Sequence, residues 1–478
     1  MALLFNLSLA TGAILEIWKL ANVTPIFKKG AKTTPGNYRL VSLTSIICKV
    51  MESLLRDQIV IHLAENDLIY QSQHGFMTKK SCLTNLLEYL ETLSKLIDEG
   101  HAVDVVYLDF AKAFDKVPHA RLSAVLSAHG IGGDVLGWIE EWLRGRKQRV
   151  VLNGKESGWL PVTSGVPQGS VLGPTLFVIF INPIDHVLES LSGFLSKFAD
   201  DTKVGGKANN TEDCKVLQEI LDYLVEWADK WQMKFNADKC KVIHFGRNNI
   251  RHKYVMGGYA PAGVVLEEVK VEKDVGVMVS EDLKPSIQCS QAAKKANSIL
   301  GRMARSFSYR DSVVWLRLYK MYVRPHLEYA VQAWSPWTQH DIKVLEDVQR
   351  RAVRMISGLR AQSYEDKLSE LDLMSLEDRR TRGDLIQTWK ILHGVDNVSE
   401  GTWFTRLHST SVRDTRASSS PYTLVQNPAN SEQRRNMFSY RVVRSWNSLP
   451  LKVQSSVSIN AFKNNYDVWF KSNRLPQL

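Results

Sequence analysis

Apolar residues return along this chain in two rhythms. From Ile46 to about Leu63, and from Ser81 to about Glu99, they recur every three or four positions, which predicts amphipathic helices. In the second, Leu83, Leu86, Leu87, Leu90, Leu93 and Leu96 share one face and Gly100 marks the stop. A third such pattern covers 211–232 (Leu217, Ile220, Leu221, Leu224, Trp227, Trp231), with Asn210 or Thr211 as its cap and acids in its first turn. The opening MALLFNLSLATGAIL is apolar like a signal peptide but has no basic start. Its spacing (Leu3, Leu7, Ala10, Ile14, Trp18) reads equally well as an amphipathic helix.

Shorter apolar runs bounded by turn residues predict strands. NVTPIF and YRLVSL flank a basic loop with Gly30, Pro35 and Gly36. VVYLDF (105–110) is a mostly buried strand, followed by a helical stretch to about Leu143. QRVVLNGKESGWLPVTSG predicts a hairpin around Asn153-Gly154. GVPQGSVLGPTLFVIFINPI is a glycine- and proline-marked loop running into an apolar helix, too short and too proline-punctuated to cross a bilayer. KCKVIHFG reads as one strand and KDVGVMVS as another, closed by a turn at Ser280–Asp282. From about 285 the pattern is helical and basic, and 395–435 is polar and Ser-rich, the composition of a linker.

Composition adds scale and charge. The 478 residues suffice for two or three domains. With 61 Lys+Arg against 50 Asp+Glu the net charge is +11, which suits a polyanionic partner such as nucleic acid. Five scattered cysteines form no CxxC pair, so neither a disulfide framework nor a zinc site is indicated. Reduced thiols fit a cytoplasmic or nuclear protein.

The candidate chemistry centres on LSKFADDTKVGG (195–206), where Asp200 and Asp201 stand side by side at a predicted strand turn. An Asp-Asp pair in a turn is often only solvated. Asp109 ends the VVYLDF strand, however, and adjacent strands would bring three carboxylates together. Such a cluster favours divalent cations, and hard oxygen ligands favour Mg²⁺ or, in its place, Mn²⁺. Two ions roughly 4 Å apart are the usual device for in-line phosphoryl transfer. Lys28, Lys29, Lys32 and Arg39 lie on the basic loop and could grip a triphosphate or a nucleic-acid backbone. Gly165 and Gly169 permit close backbone approach, and Gln168 between them can both donate and accept. Lys239 is either an exposed lysine or a proton donor to a leaving group.

The ordered set PIFKKG…NYRLVSL, LDFAKAFDKVPH, GVPQGSVLGPTLF, FADDTK, NADKCKV and KDVGV resembles the reverse transcriptases of non-LTR, LINE-type retrotransposons of the jockey and CR1 kind. The resemblance covers roughly residues 15–300, and FSYRVVRSWNSLPLKVQ resembles the tail of the same polyproteins. It implies an α+β right-hand polymerase of fingers, palm and thumb with a helical C-terminal region. Fingers would occupy 1–100, the palm with an intervening fingers segment 101–248, a primer-grip hairpin region 249–284, the thumb 285–395 and a linker with C-terminal tail 396–478. Asp109, Asp200 and Asp201 match the family's metal-binding carboxylates, with Asp201 the least critical. Phe114 matches an aromatic gate that excludes the ribose 2′-hydroxyl. Asp115, its neighbour, belongs to the same motif in a structural role. Gln168 and Gly169 would meet the incoming nucleotide and template. Lys28, Lys29 and Arg39 would hold the triphosphate, Lys239 would act as general acid, and Gly276 would sit in the primer grip. The thumb would track the duplex through phosphate contacts.

The chain also departs from the family pattern. Leu40 and Val41 replace a common Pro-Ile pair after Arg39, and Phe198 replaces a common Tyr. An endonuclease usually precedes the polymerase, whereas here the motifs begin almost at Met1, with neither a Cys-His knuckle nor RNase H. This implies an N-terminally truncated copy dependent on a separate endonuclease. The resulting expectation is an RNA-directed DNA polymerase using Mg²⁺, an RNA template, a DNA primer or target and dNTPs. The alternative is an inactive remnant or co-opted nucleic-acid-binding protein. A two-carboxylate cyclase-like palm would leave GVPQGS and the basic loop unexplained.

Overall fold

The computed structural model describes residues 1–258, 263–407 and 420–474. The chain forms two compact units that interleave along the sequence. The first comprises Met1–Met77, Asp104–Val242 and Ile250–Glu268; the second comprises Thr78–Val103, Ile243–Asn249 and Val269–Leu478. Each unit is assembled from three segments distant in sequence.

Strands wholly or partly in the first unit are β1 (Leu20–Phe27), β2 (Tyr38–Leu43), β3 (Val103–Leu108), β4 (Lys147–Leu152), β5 (Lys155–Glu156), β6 (Leu160–Pro161), β7 (Phe194–Phe198), β8 (Asp201–Lys207), β9 (Lys241–Phe245), β10 (Val255–Met256), β11 (Val264–Val265) and β12 (Glu267–Glu268). Two sheets matter for the chemistry. In one, β2 and β1 pair antiparallel with Ile26 opposite Arg39, and β1 pairs parallel with β4. In the other, the order is β12-β9-β3-β8-β7. Strand β3 lies centrally, which explains why its sequence VDVVYL is apolar with little alternation: both faces are covered. Its one acid, Asp104, is fully buried and accepts a hydrogen bond from the Tyr254 hydroxyl at 2.7 Å.

The predicted helices of this unit form where the periodicity places them. One covers Ile46–Glu65 with Ser45 as cap, and another covers Thr211–Lys230 with Asn210 accepting from the Asp213 N–H. The apolar run becomes helix Gly173–Ile181, buried on nearly every side. Its N-terminus receives the fully buried Glu52 carboxylate, which accepts from the N–H groups of Val171 (2.6 Å) and Leu172 (3.1 Å). The predicted Asn153-Gly154 hairpin turn is present, with φ of 50° and 76°.

The opening segment differs from its expected face. Helix Ala2–Thr11 leaves Leu3 84% and Leu7 60% exposed and buries Phe5 and Ser8 instead. Ser8 can turn inward because its hydroxyl accepts from the Trp138 indole N–H at 3.0 Å.

In the second unit, helix Cys82–Asp98 begins with a reciprocal capping box between Ser81 and Thr84. KDVGVMVS is not a single strand but part of a hairpin, β13 (Val271–Asp274) and β14 (Val277–Ser280), turning at Val275-Gly276. The turn was hidden because a valine holds its first position, with φ of 43°. Helices Ser286–Ser306, Gln339–Arg354, Leu376–Leu392, Phe438–Asn447 and Ile459–Arg474 form much of the remainder. The expected linker is partly structured: Glu400–Trp403 is helical and Arg406 bridges Leu424, while residues 408–419, its Ser-rich middle, lie outside the described residues. The following segment docks on helix Cys82–Asp98. Arg434 forms a buried ion pair with Glu91, Ser439 donates to Glu91 at 2.7 Å, and Asp98 accepts from the Ser431 N–H at 2.7 Å.

Among the described residues no helix is long and apolar enough to cross a membrane. All five cysteines are free thiols, and all but Cys82 are buried.

Candidate active site

The site grows from the ends of β3, β7 and β8 in the first unit. Asp109 directly follows β3, and its backbone is tied down on both sides. Its N–H reaches the Cys240 sulfur at 3.5 Å, and its carbonyl accepts from the Asn236 N–H at 2.7 Å. Burial pushes the Cys240 thiol up to about 11, so it stays neutral beneath the carboxylate. The Asp109 side chain is 43% exposed and accepts from Lys239 Nζ at 3.2 Å. Lys239 therefore stands against the Asp109 carboxylate.

Strands β7 and β8 form a hairpin in which Phe198 opposes Asp201, leaving Ala199-Asp200 as a two-residue turn. Asp200 lies half-buried on the turn. Burial raises its pKa, the charge of Asp109 raises it further, and Arg39 and Lys28 act in the opposite direction. Two carboxylates and two basic groups thus converge. Lys28 and Arg39 reach this place because the β1–β2 pairing brings both ends of the basic loop together, with the Lys28 N–H donating to the Asn37 carbonyl at 2.8 Å. Lys29 is exposed on the same loop.

Asp201 starts β8 and is exposed. Among the described residues, no three His, Cys, Asp or Glu side chains lie together as a ready-made metal site. Asp109 and Asp200 act on each other as charges, and Asp201 begins the strand that follows. A carboxylate pair still fits a hard cation such as Mg²⁺, which keeps several waters and takes one or two carboxylates plus substrate phosphates.

Phe114 lies on the short helix Ala113–Lys116. Its ring stacks on Phe177 at 4.3 Å and meets the edge of Phe76 at 6.2 Å. Behind it, Asp115 is tied to the GVPQG loop. Gln168 Nε2 donates to its carboxylate at 3.2 Å, and Ser164 donates to its carbonyl at 3.0 Å. Burial raises the Asp115 pKa, while Gln168, Lys112 and Lys28 oppose that rise. Gln168 thus has its amide orientation set by Asp115. The Gln168 carbonyl in turn accepts from the Ser42 N–H at 2.7 Å. Gly169 must be glycine: at φ 126° a Cβ would lie 2.3 Å from the Ser42 carbonyl oxygen.

Gly276 belongs to the second unit and sits with φ of 93° at the β13–β14 turn. There the Tyr329 hydroxyl donates to the Val275 carbonyl at 2.9 Å.

The segment Gln73–Phe76 carries site neighbours that sequence reasoning missed. Gln73 is 1% exposed and accepts from the Ala199 N–H at 2.9 Å. Phe76, 56% exposed with φ of 59°, contacts Phe114. In the sequence YQSQHGFMTKK these residues look like a solvated loop. The one available signal was Gly75, isolated beside an aromatic residue.

Comparison with known proteins assigns this arrangement. Residues 26–300 match the family described as Reverse transcriptase (RNA-dependent DNA polymerase). Over 353 residues the chain is 27% identical to the "Probable RNA-directed DNA polymerase from transposon X-element" of Drosophila melanogaster, covering 71% of this chain and 38% of that protein. It is 26% identical over 370 residues to the "RNA-directed DNA polymerase from mobile element jockey" of the same species, covering 75% and 40%. The chain thus spans well under half the length of these relatives. Among solved structures it is similar to an apo telomerase from Candida tropicalis, with a TM-score of 0.43, 12% identity, and coverage of 75% of this chain and 62% of that one. The family match extends over more than half the chain, and the acids of β3 and of the β7–β8 turn lie inside it: this chain belongs to the reverse transcriptase (RNA-dependent DNA polymerase) family and is of the LINE type.

Proposed function

We propose that this chain is an RNA-directed DNA polymerase that extends a DNA primer 3′-hydroxyl with dNTPs along an RNA template. The observation that carries this reading is the half-buried Asp200 carboxyl, which shares a field with Asp109 and faces Lys28 and Arg39. Acids beside bases at strand ends suit a substrate that brings both metal and triphosphate.

In this reading Asp109 and Asp200 hold divalent cations, Mg²⁺ with Mn²⁺ as substitute, and Asp201 is the lesser ligand. Bound there, the cations supply Lewis acidity to the attacking hydroxyl and to the departing pyrophosphate. Lys28 and Arg39, with Lys29 further out, hold the triphosphate in line. Lys239 leaves Asp109 when the acid takes up its substrate complex, and its ammonium then donates a proton to the pyrophosphate oxygen. Phe114, backed by Phe177, occupies the space of a ribose 2′-hydroxyl. Gln168, held by Asp115, contacts nucleotide and template together with Gly169. Gly276 serves the primer grip, and a separate endonuclease activity supplies the target 3′-end. The work is placed in the cytoplasm, the nucleus or both, where the RNA and DNA strands are found.

Primer extension on an RNA template with dNTPs and Mg²⁺ or Mn²⁺ tests the reading. Extension is expected from the full chain, falling by on the order of a thousandfold or more in Asp200→Ala. In Phe114→Ala, ribonucleotide incorporation is expected to rise. No extension, with salt-sensitive duplex binding retained, overturns the polymerase in favour of a nucleic-acid-binding remnant.

A further inference from the structure

Asp200 is carried by a turn that contains no glycine, yet Ala199 before it has φ of 58°. The two-residue loop between Phe198 and Asp201 imposes that conformation, which a residue with a Cβ disfavours, so a contact from outside the hairpin adds to its hold.

The holder is the segment Ser72–Gly75. It runs beside β7, with Gln73 bridging Lys197 in parallel. The Lys197 N–H donates to the Ser72 carbonyl at 2.8 Å, and the His74 N–H donates to the Lys197 carbonyl at 2.9 Å. From this track the buried Gln73 side chain reaches into the turn. Its Oε1 accepts from the Ala199 N–H at 2.9 Å and from the Gly75 N–H at 2.8 Å, while its Nε2 faces the Ala199 carbonyl at 3.5 Å. Gly75 presses on the same peptide: a Cβ there would lie 2.3 Å from Ala199 N. Beneath, Lys197 is wholly buried and ion-paired with Asp185, which also accepts from Ser72. Neighbouring carboxylates repel each other, and a turn free to relax would let Asp200 swing away from Asp109. The strap opposes that.

We propose that Gln73 and Gly75 form a positioning strap that fixes the Ala199-Asp200 turn and thereby sets how tightly the site binds divalent cation and how fast it turns over. Gln73 touches no substrate; it acts through the peptide that carries Asp200. The proposal rests on the polymerase reading for its effect on rate, but not for its effect on cation binding.

The test uses the full chain with template–primer bound, Mn²⁺ as the spectroscopic probe, and extension measured against Mg²⁺ and dNTP. Q73L, apolar and of similar size, is expected to weaken Mn²⁺ binding by about ten- to a hundredfold. It should lower kcat by a similar factor while leaving KM for dNTP and the discrimination against ribonucleotides unchanged. Q73E keeps both acceptor contacts and is expected to outperform Q73L. A mere packing role reverses that order, because a fully buried site tolerates leucine better than a carboxylate. If Q73L does not fold, Q73N, which keeps the amide but shortens its reach, is expected to show the same loss.

Equal Mn²⁺ affinity in the wild type and the folded variants overturns the strap, as does Q73L matching or exceeding Q73E. A wild type that binds Mn²⁺ but extends no primer overturns the polymerase reading alone, and the Mn²⁺ comparison then decides the strap.

Discussion

Two tight turns in this molecule solve the same backbone problem differently. The β7–β8 turn, Ala199-Asp200, and the β13–β14 turn, Val275-Gly276, are both two-residue hairpin loops. Each places a side chain that disfavours the left-handed region into it, alanine at φ 58° and β-branched valine at φ 43°. Each is clamped by a side chain remote in sequence, Gln73 in one case and Tyr329 in the other. The clamps differ in kind. Gln73 is buried and accepts from the turn's N–H, whereas Tyr329 is partly exposed and donates to the turn's carbonyl. The second turn also has Gly276, which takes φ 93° freely. The first has positive φ only at Ala199, with Asp200 outside the left-handed region, so its strain falls on the one residue whose N–H Gln73 holds.

Substitutions that treat the turns alike should therefore separate them. The largest effect is expected from Gly75→Ala. Its new Cβ would meet backbone at 2.3 Å, so the turn must shift. Extension should fall by about a hundredfold or more, with roughly 1–3 kcal/mol lost in denaturant unfolding. Next come Ala199→Gly and Val275→Gly, which relieve the same strain. Val275→Gly should gain about 1 kcal/mol of stability with its hairpin intact, because the relief of a β-branched residue exceeds the entropy cost of glycine. Ala199→Gly should stabilise less and lower kcat, because the freed turn samples other positions for Asp200. Equal kinetic effects from the two would remove the distinction drawn here. Tyr329→Phe removes one hydrogen bond from a partly exposed clamp. It is expected to cost about 1 kcal/mol or less, read as faster amide exchange in β13 and β14.

The smallest effect concerns pH. The folded pKa of Asp200 lies above its ordinary value of 3.8, mainly through burial. The native state then holds its proton more tightly than the unfolded chain, and stability falls as pH rises from that ordinary value through the raised one. Asp200→Asn carries no such penalty. It should be modestly more stable than the wild type at neutral pH, with the difference fading on acidification through the raised pKa. Thermal melts of both proteins across that window check the sign.

Much of the fold was legible because it depends on local patterns. Helices with six or so apolar residues on one face appear as predicted, as does the Asn153-Gly154 turn. The acids Asp109 and Asp200 were legible from their places at strand ends. What the sequence hid was non-local. Val275 breaks the rule that residues with positive φ announce themselves, so a hairpin read as one strand. Gln73 sits in a polar stretch whose composition signals solvent, and only the parallel track beside β7 reveals it as buried. The inward face of the first helix depends on Ser8 meeting Trp138, 130 residues away.

The pairing of Glu91 with Arg434 has a consequence for how the chain is made. Helix Cys82–Asp98 has strong local signals and can form as soon as it leaves the ribosome. Its buried Glu91, however, finds its cation and the Ser439 hydroxyl only when a stretch more than 340 residues later has emerged. A buried carboxylate without its partner costs about 3–5 kcal/mol. Until the late segment arrives, the helix surface that receives it must stay wet. The second unit therefore closes last, as a seam between early and late synthesis, and a chain released before residue 434 carries that seam open.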